Sequence, residues 1–269
     1  MRLSVVIVCL FMFVCMSPVQ ADPVLDRVLK TKTLRCGYFA EPPFTFYDPN
    51  SGEFSGFAVE LAQMIAKDLG LKIEWSEEIA FDTFGQDLQN GRYDMVCGSA
   101  FYHARAASTF YSMPYAYVPV HGYVLKDNKS FDRDFNGINW SKTRISGIEG
   151  GGGTRAVKKF IPEAELIILP QRSSIAEMLL QVQTKKTDIG FVIPTVFEEY
   201  NKNNPGKLKQ AELGKPLYQY AVGFATPRGA HDFRQMINQQ LQQYIASGEL
   251  HALATKYDPK GLFKYPIKP

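Results

Sequence analysis

The residues best placed to do chemistry lie in Gly91-Arg92-Tyr93-Asp94-Met95-Val96-Cys97-Gly98-Ser99-Ala100-Phe101-Tyr102-His103-Ala104-Arg105. Tyr93 to Gly98 reads as a buried strand. It breaks at Gly98-Ser99 into an aromatic loop that delivers one guanidinium, Arg105, at or near the start of a short helix. Loops at the carboxyl ends of strands in open α/β sheets border a crevice, and there the fork of N–H donors on an arginine suits a carboxylate. The competing reading pairs Arg105 only with a surface acid. Tyr38, Phe81, Phe101 and Tyr102 crowd the same strand ends, and such rings would wall in a flat or apolar ligand body.

A second place is Gly150 to Gly153, between a strand Arg144 to Glu149 and a helix that runs to Phe160. Glycines let the backbone approach a ligand and turn its N–H groups inward at a helix amino terminus, which seats an anion. A merely flexible turn is the alternative. No Lys-Ser/Thr pair follows at Walker spacing, and a dinucleotide motif is absent. For catalysis the chain offers little. His103, His121, His231 and His251 share no metal-ligand spacing, no Gly-x-Ser-x-Gly elbow is present, and no cysteine pairs with a helix start and a histidine. The expectation is therefore no catalytic residue, no metal and no cofactor, with His103 the one exception to watch because it lies two residues before Arg105 on the candidate ligand loop.

The elements that must position these residues alternate between strand and helix. Leu34 to Phe39 reads as a strand after a charged lead-in, Asp26 to Lys32. Ala40-Glu41-Pro42-Pro43-Phe44 then holds the chain extended, with Phe44 and Phe46 expected in the core. Ala58, Leu61, Ala62, Ile65, Ala66 and Leu69 mark a helix that stops at Gly70. A strand Leu71 to Trp75 and a helix Asp82 to Asn90 follow, and this β-helix-β order demands right-handed parallel units. After a polar stretch, Lys126 to Asn139, the pattern resumes: strand Glu165 to Leu169, helix Ser174 to Thr184, strand Asp188 to Ile193, helix Thr195 to Asn201. Ser174 with Glu177 and Thr195 with Glu198 have capping-box spacing. Tyr218 to Ala225 is a return strand, before helices His231 to Ser247 and Glu249 to Lys256. Crossings near Val118 to His121 and again in the return strand imply two lobes with a restricted hinge and a cleft between them.

The 269 residues carry a formal net charge of only +3, with no basic run, so nucleic acid is not an expected partner. Met1 to Ala21 reads as a cleaved export signal: Arg2, an apolar run Leu3 to Val14, and Val19-Gln20-Ala21 as the cleavage site. Phe13-Val14 before Cys15 does not match a lipoprotein box, so a free soluble protein is expected over a lipid-anchored one; a monomer is expected as well.

Asp94, Gly98 and Arg105, followed by Phe110-Tyr111-Ser112-Met113-Pro114-Tyr115, together with Gly56-Phe57-Ala58-Val59-Glu60-Leu61, resemble the motifs of bacterial extracellular solute-binding proteins of family 3. The resemblance implies an α/β fold, two doubly wound lobes of the type II periplasmic binding fold joined by a two-segment hinge, with residues 22–118 and 222–269 in one lobe and 122–218 in the other. It implies a small-molecule ligand, no cofactor, a periplasmic location and an inner-membrane ABC permease as partner. Ligand contacts would come from Tyr38, Glu41, Phe81, Gly98, Ser99, Ala100, Tyr102, Arg105, Gly150, Gly151, Gly152 and Ile193. Several of these depart from the family. Gly151 and Gly152 stand where hydroxyl residues are usual, which leaves backbone donors only. Ala100 also lacks a hydroxyl, and Ile193 stands where an aspartate accepts the α-ammonium of an amino acid. A ligand cation would then face Glu41, whose other reading is a solvated loop carboxylate. The family's sheet order makes the strands of Cys36 and Cys97 neighbours, open to a disulfide or to two buried thiols, and the awkward geometry of a bridge between parallel strands favours thiols. The enzyme alternative on this fold is a dehydratase-like lyase of the cyclohexadienyl dehydratase type, and a ligand-sensing module is another.

Overall fold

A computed structural model describes residues 22–79, 83–101 and 109–266. Expected only as a charged lead-in, the first segment is a helix, α1 (Pro23–Thr31). Asp22 caps it by accepting from the N–H groups of Val24 and Leu25 at 3.1 Å, and proline takes the first helical position. The other carboxylate oxygen of Asp22 accepts from the N–H of Phe233 at 2.9 Å, which ties this helix to a distant one.

Strand β1 (Thr33–Tyr38) ends in a turn, because the carbonyl of Glu41 accepts from the N–H groups of both Phe44 and Thr45 at 3.0 Å. The prolines thus fold the chain back where an extended run was expected. Phe44 is buried, but Phe46 is 42% exposed, since it lies in a separate two-stranded ribbon, β2 (Phe46–Tyr47) with β3 (Phe54–Ser55), outside the main sheet. Helix α2 (Phe57–Asp68) buries Phe57, Leu61 and Ile65 and stops before Gly70, whose φ of +63° suits glycine. Then come β4 (Lys72–Glu78), α3 (Phe84–Gln89), β5 (Met95–Phe101), β6 (Thr109–Tyr111) and β7 (Ala116–Leu125). The polar stretch that follows is packed, with three short 3-10 turns burying Phe131 and Trp140.

The chain continues through β8 (Arg144–Ile148), α4 (Gly152–Phe160), β9 (Glu165–Leu169), α5 (Ile175–Gln183), β10 (Ile189–Val192), α6 (Pro194–Asn203), β11 (Leu208–Gln210), β12 (Tyr218–Pro227), α7 (His231–Ser247) and α8 (Glu249–Tyr257). The capping box at Ser174 and Glu177 is made. The one expected at Thr195 is not, because Pro194, with φ already set for a helix, takes the first helical position and starts α6 a residue earlier.

The strands run in the order β4-β1-β5-β12-β7-β10-β8-β9, with β6 on β12 and β11 on β7. β1 is parallel to β4 and β5, and β8 is parallel to β9 and β10. The middle pairs are antiparallel: β7 meets β12 through Ala116–Val120, then β10 and β11 through His121–Leu125. One long strand therefore serves both halves, and the chain leaves along β7 and returns along β12. Each half has its own core, around Leu61, Ile65 and Phe233 in one and Ile145, Val157 and Phe191 in the other, while Ile193 and Tyr220 pack against both. Among the described residues no helix is long and apolar enough to cross a membrane.

The same clamp starts the parallel strands of both halves. Asp94 accepts from the N–H of Arg35 at 2.7 Å and from its guanidinium at 2.8 Å, and Arg27 adds a second guanidinium. Asp188 accepts from the N–H of Arg144 at 2.8 Å and from its guanidinium at 2.7 Å. Strands fixed together at their amino ends finish together at their carboxyl ends, where a cleft forms.

Cys36 and Cys97 are joined in a disulfide between β1 and β5, a correction to the expectation of thiols. Cys36 opposes Met95, so Cys97 falls two residues along on the same face. The Cα atoms are 5.3 Å apart, inside the range of about 4.4–6.8 Å that a bridge tolerates.

Candidate ligand-binding site

A cavity of about 280 Å³ lies between the halves. Glu41 borders it from the turn after β1, Val120 and Tyr220 from the two connecting strands, and Ile148, Gly151, Gly152, Gly153 and Thr154 from the β8–α4 junction. Ile175, Met178, Phe191, Val192 and Ile193 complete an apolar wall. Glu41 is the one acidic side chain on this lining among the described residues.

The four glycines separate into distinct roles. Gly150 has φ +70°, a conformation that side chains resist, and it does not line the cavity. A Cβ on Gly151 would come within 3.0 Å of the Ile148 carbonyl, and one on Gly152 would overlap the Tyr220 hydroxyl. Gly153 has room for a side chain and does line the cavity, so the lining glycines are 151–153, one residue later than expected. Gly151 caps α4 with no side-chain bond, and the N–H groups of the helix's first turn have no intrahelical acceptor. The hydroxyl of Thr154 is already used: it donates to the carbonyl of Ile148 at 2.7 Å and accepts from its N–H at 2.9 Å. The loop therefore offers backbone donors and the positive end of a short helix.

Tyr38 is buried among the rings of Phe54, Tyr47 and Trp75, with centroids 4.6, 5.8 and 6.1 Å away, and does not line this cavity. Gly98 also lies off it: its Cβ position falls 2.8 Å from the Thr45 hydroxyl, and its carbonyl accepts from Tyr115 at 3.2 Å. Ser99 and Ala100 lie on β5, whose Ala100 pairs with Gly223. Phe81, Tyr102, His103 and Arg105 lie outside the described residues. Ile193 borders the cavity at the start of α6, and with Pro194 next to it neither residue offers an acceptor side chain. Of the expected contacts, the structure thus brings together Glu41, Gly151, Gly152 and Ile193.

Tyr220, Ile175 and Met178 were not expected. Tyr220 is half-buried, and burial first, then Tyr218, push its phenol above the ordinary value, so it stays protonated. A wider cleft of about 1070 Å³ shares Glu41, Ile175 and Ile193 with the cavity and runs over α6 towards Asp258 and Lys260. An ion pair between Glu198 of α6 and Lys260 crosses it. Among the described residues no group of three or more His, Cys, Asp or Glu could hold a metal.

The chain is 27% identical over 221 residues to the probable amino-acid-binding protein YxeM of Bacillus subtilis, spanning 80% of this chain and 79% of that one. A shorter match, 41% identical over 78 residues, covers 29% of this chain and 30% of a probable amino-acid ABC transporter-binding protein of Haemophilus influenzae. In three dimensions it resembles the crystal structure of an ancestral amino acid-binding protein described as a precursor of cyclohexadienyl dehydratase. The TM-score is 0.65 at 27% identity, over 87% of this chain and 98% of that one. The solved structure has the type II periplasmic binding fold seen here, and with residues 34–260 matching the family's sequence profile, the chain belongs to the bacterial extracellular solute-binding proteins, family 3.

Proposed function

We propose that the protein captures a small carboxylate-bearing solute between its halves and delivers it to an inner-membrane ABC permease. It works in the periplasm after loss of residues 1–21. Lobes of residues 22–118 with 222–269, and of 122–218, close about β7 and β12, and the solute stabilises the closed state by touching both. The observation that carries this reading is the cavity itself. It is lined from both halves, apolar over most of its wall, with helix-start N–H groups at one place and a carboxylate, Glu41, at another. Arg105 is assigned to the solute's carboxylate as a charge-assisted fork. The amine of an α-amino acid placed against Ile193 would be buried without a partner. The preferred solute therefore carries no α-ammonium there, or sets its cation against Glu41. Phe81 and Tyr102 are assigned to its apolar body.

Relatives of the chain are named as amino-acid-binding proteins, which supports binding over turnover. The similar ancestral protein is a precursor of cyclohexadienyl dehydratase, and this keeps a lyase as the second reading. Native mass spectrometry of freshly purified protein, with the bound mass identified after denaturation, tests the proposal. A stoichiometric small acid is expected. Protein that carries no solute, and instead converts prephenate-like acids, would favour the lyase.

A further inference from the structure

The Tyr220 hydroxyl occupies the space in which a side chain on residue 152 would begin, and both residues border the cavity. The loop lacks hydroxyl residues, and Thr154 has committed its own to Ile148. We infer that Tyr220, reaching from β12, supplies the side-chain hydrogen bond to a carboxylate at the amino end of α4, and that Gly152 is glycine to admit it. The inference rests on the carboxylate-binding reading above and adds a specificity residue to it.

Three observations converge on this assignment. First, a methyl group added at Gly153 would meet only the Phe191 carbonyl, at 3.7 Å, whereas one added at Gly152 would collide with the phenol. Gly151 is held small by the Ile148 carbonyl of its own loop, whereas the demand at Gly152 comes from Tyr220. Second, the ring is held from several sides: Tyr218 stands edge-on at 4.9 Å, and both cores pack against it. A hydroxyl on a ring so fixed loses little further freedom when it binds. Third, burial keeps the phenol protonated, and a phenolic oxygen that donates one hydrogen bond retains its acceptor positions. Because Tyr220 sits on a strand shared by the halves, a ligand engaging it together with α4 grips the connection as well as the second half.

The test uses acetate as the minimal carboxylate and the amide signals of Gly151, Gly152 and Gly153 in an isotope-labelled full chain. In the wild type, acetate should shift these signals saturably. Tyr220→Phe, which keeps the ring, should weaken acetate binding roughly tenfold, the size of one hydrogen bond to a charged group. Gly152→Ser in the wild-type background should also weaken it by displacing the phenol. In the Tyr220→Phe background, however, Gly152→Ser should restore much of the loss, because the serine hydroxyl then fills the vacated place. A second readout, the thermal midpoint of each variant, should stay within a few degrees of wild type. Unchanged acetate affinity in Tyr220→Phe, or loss with no recovery in the double variant, would overturn the assignment of Tyr220 while leaving carboxylate binding intact. Loop amides that acetate does not move in the wild type would overturn the carboxylate reading itself, and this inference with it.

Discussion

Replacing both Cys36 and Cys97 by alanine should lower the unfolding free energy by about 4 kcal/mol. The two residues are 61 apart in sequence, and their bridge joins β1 to β5 at the centre of the first half, where both cysteines are fully buried. In the chain-entropy treatment, cross-linking a loop of this length removes about 14 cal/mol/K from the unfolded ensemble, which at room temperature gives the figure above. For a protein of this size the midpoint of thermal unfolding should fall by about 8–16 °C. Chemical denaturation of the oxidised protein and the double variant, each fitted with its own slope because the cross-link restricts the unfolded chain, measures the difference. Titration of thiols in denaturant without reductant supplies the control. Two titratable thiols from Cys36 and Cys97 in exported protein, or a loss below about 1 kcal/mol, would refute the bridge as a stabilising link across these strands.

Asp94→Asn should destabilise by about 3 kcal/mol, since it strips a buried carboxylate from two guanidinium groups; Asp188→Asn, at a more exposed clamp, should cost less, and urea melts of the two variants compare them. Burial first, then the charge of Lys264, hold His121 below its ordinary value of 6.5 on the connecting strand β7. Its folded form thus resists protonation, so its contribution to stability is complete above about pH 6.5 and is lost as pH falls through that value towards the lower folded value. A proton NMR titration of His121 with a midpoint above about 6.5 would contradict this. Ile193→Asp places an acceptor beside the cavity and should raise affinity for a common L-α-amino acid such as L-glutamine by about tenfold or more; calorimetry showing no gain would remove Ile193 as the discriminating position.

What was legible in the sequence was whatever depends on neighbours in the chain. The spacing of Leu61 and Ile65, the stop at Gly70 and the Ser174–Glu177 box each state a local rule, and the structure obeys them. The misses at α1 and α6 are also local. Asp22-Pro23 is a cap followed by a first-turn proline, and Pro194 outranks Thr195 as a helix start. Other features have no local signature. The approach of Cys36 to Cys97 depends on the register of two parallel strands that pattern alone does not set. Gly152 and Tyr220 explain each other only after β12 has returned beside α4, so a glycine that reads as a flexible turn proves to be a clearance for a distant ring.

The most direct test is calorimetry on protein freed of its bound solute by partial unfolding and refolding. The solute recovered from the protein should bind again, and Arg105→Ala should weaken it about ten- to a hundredfold, while no common L-α-amino acid binds with submicromolar affinity. Submicromolar binding of any of them that survives Glu41→Gln would contradict the account.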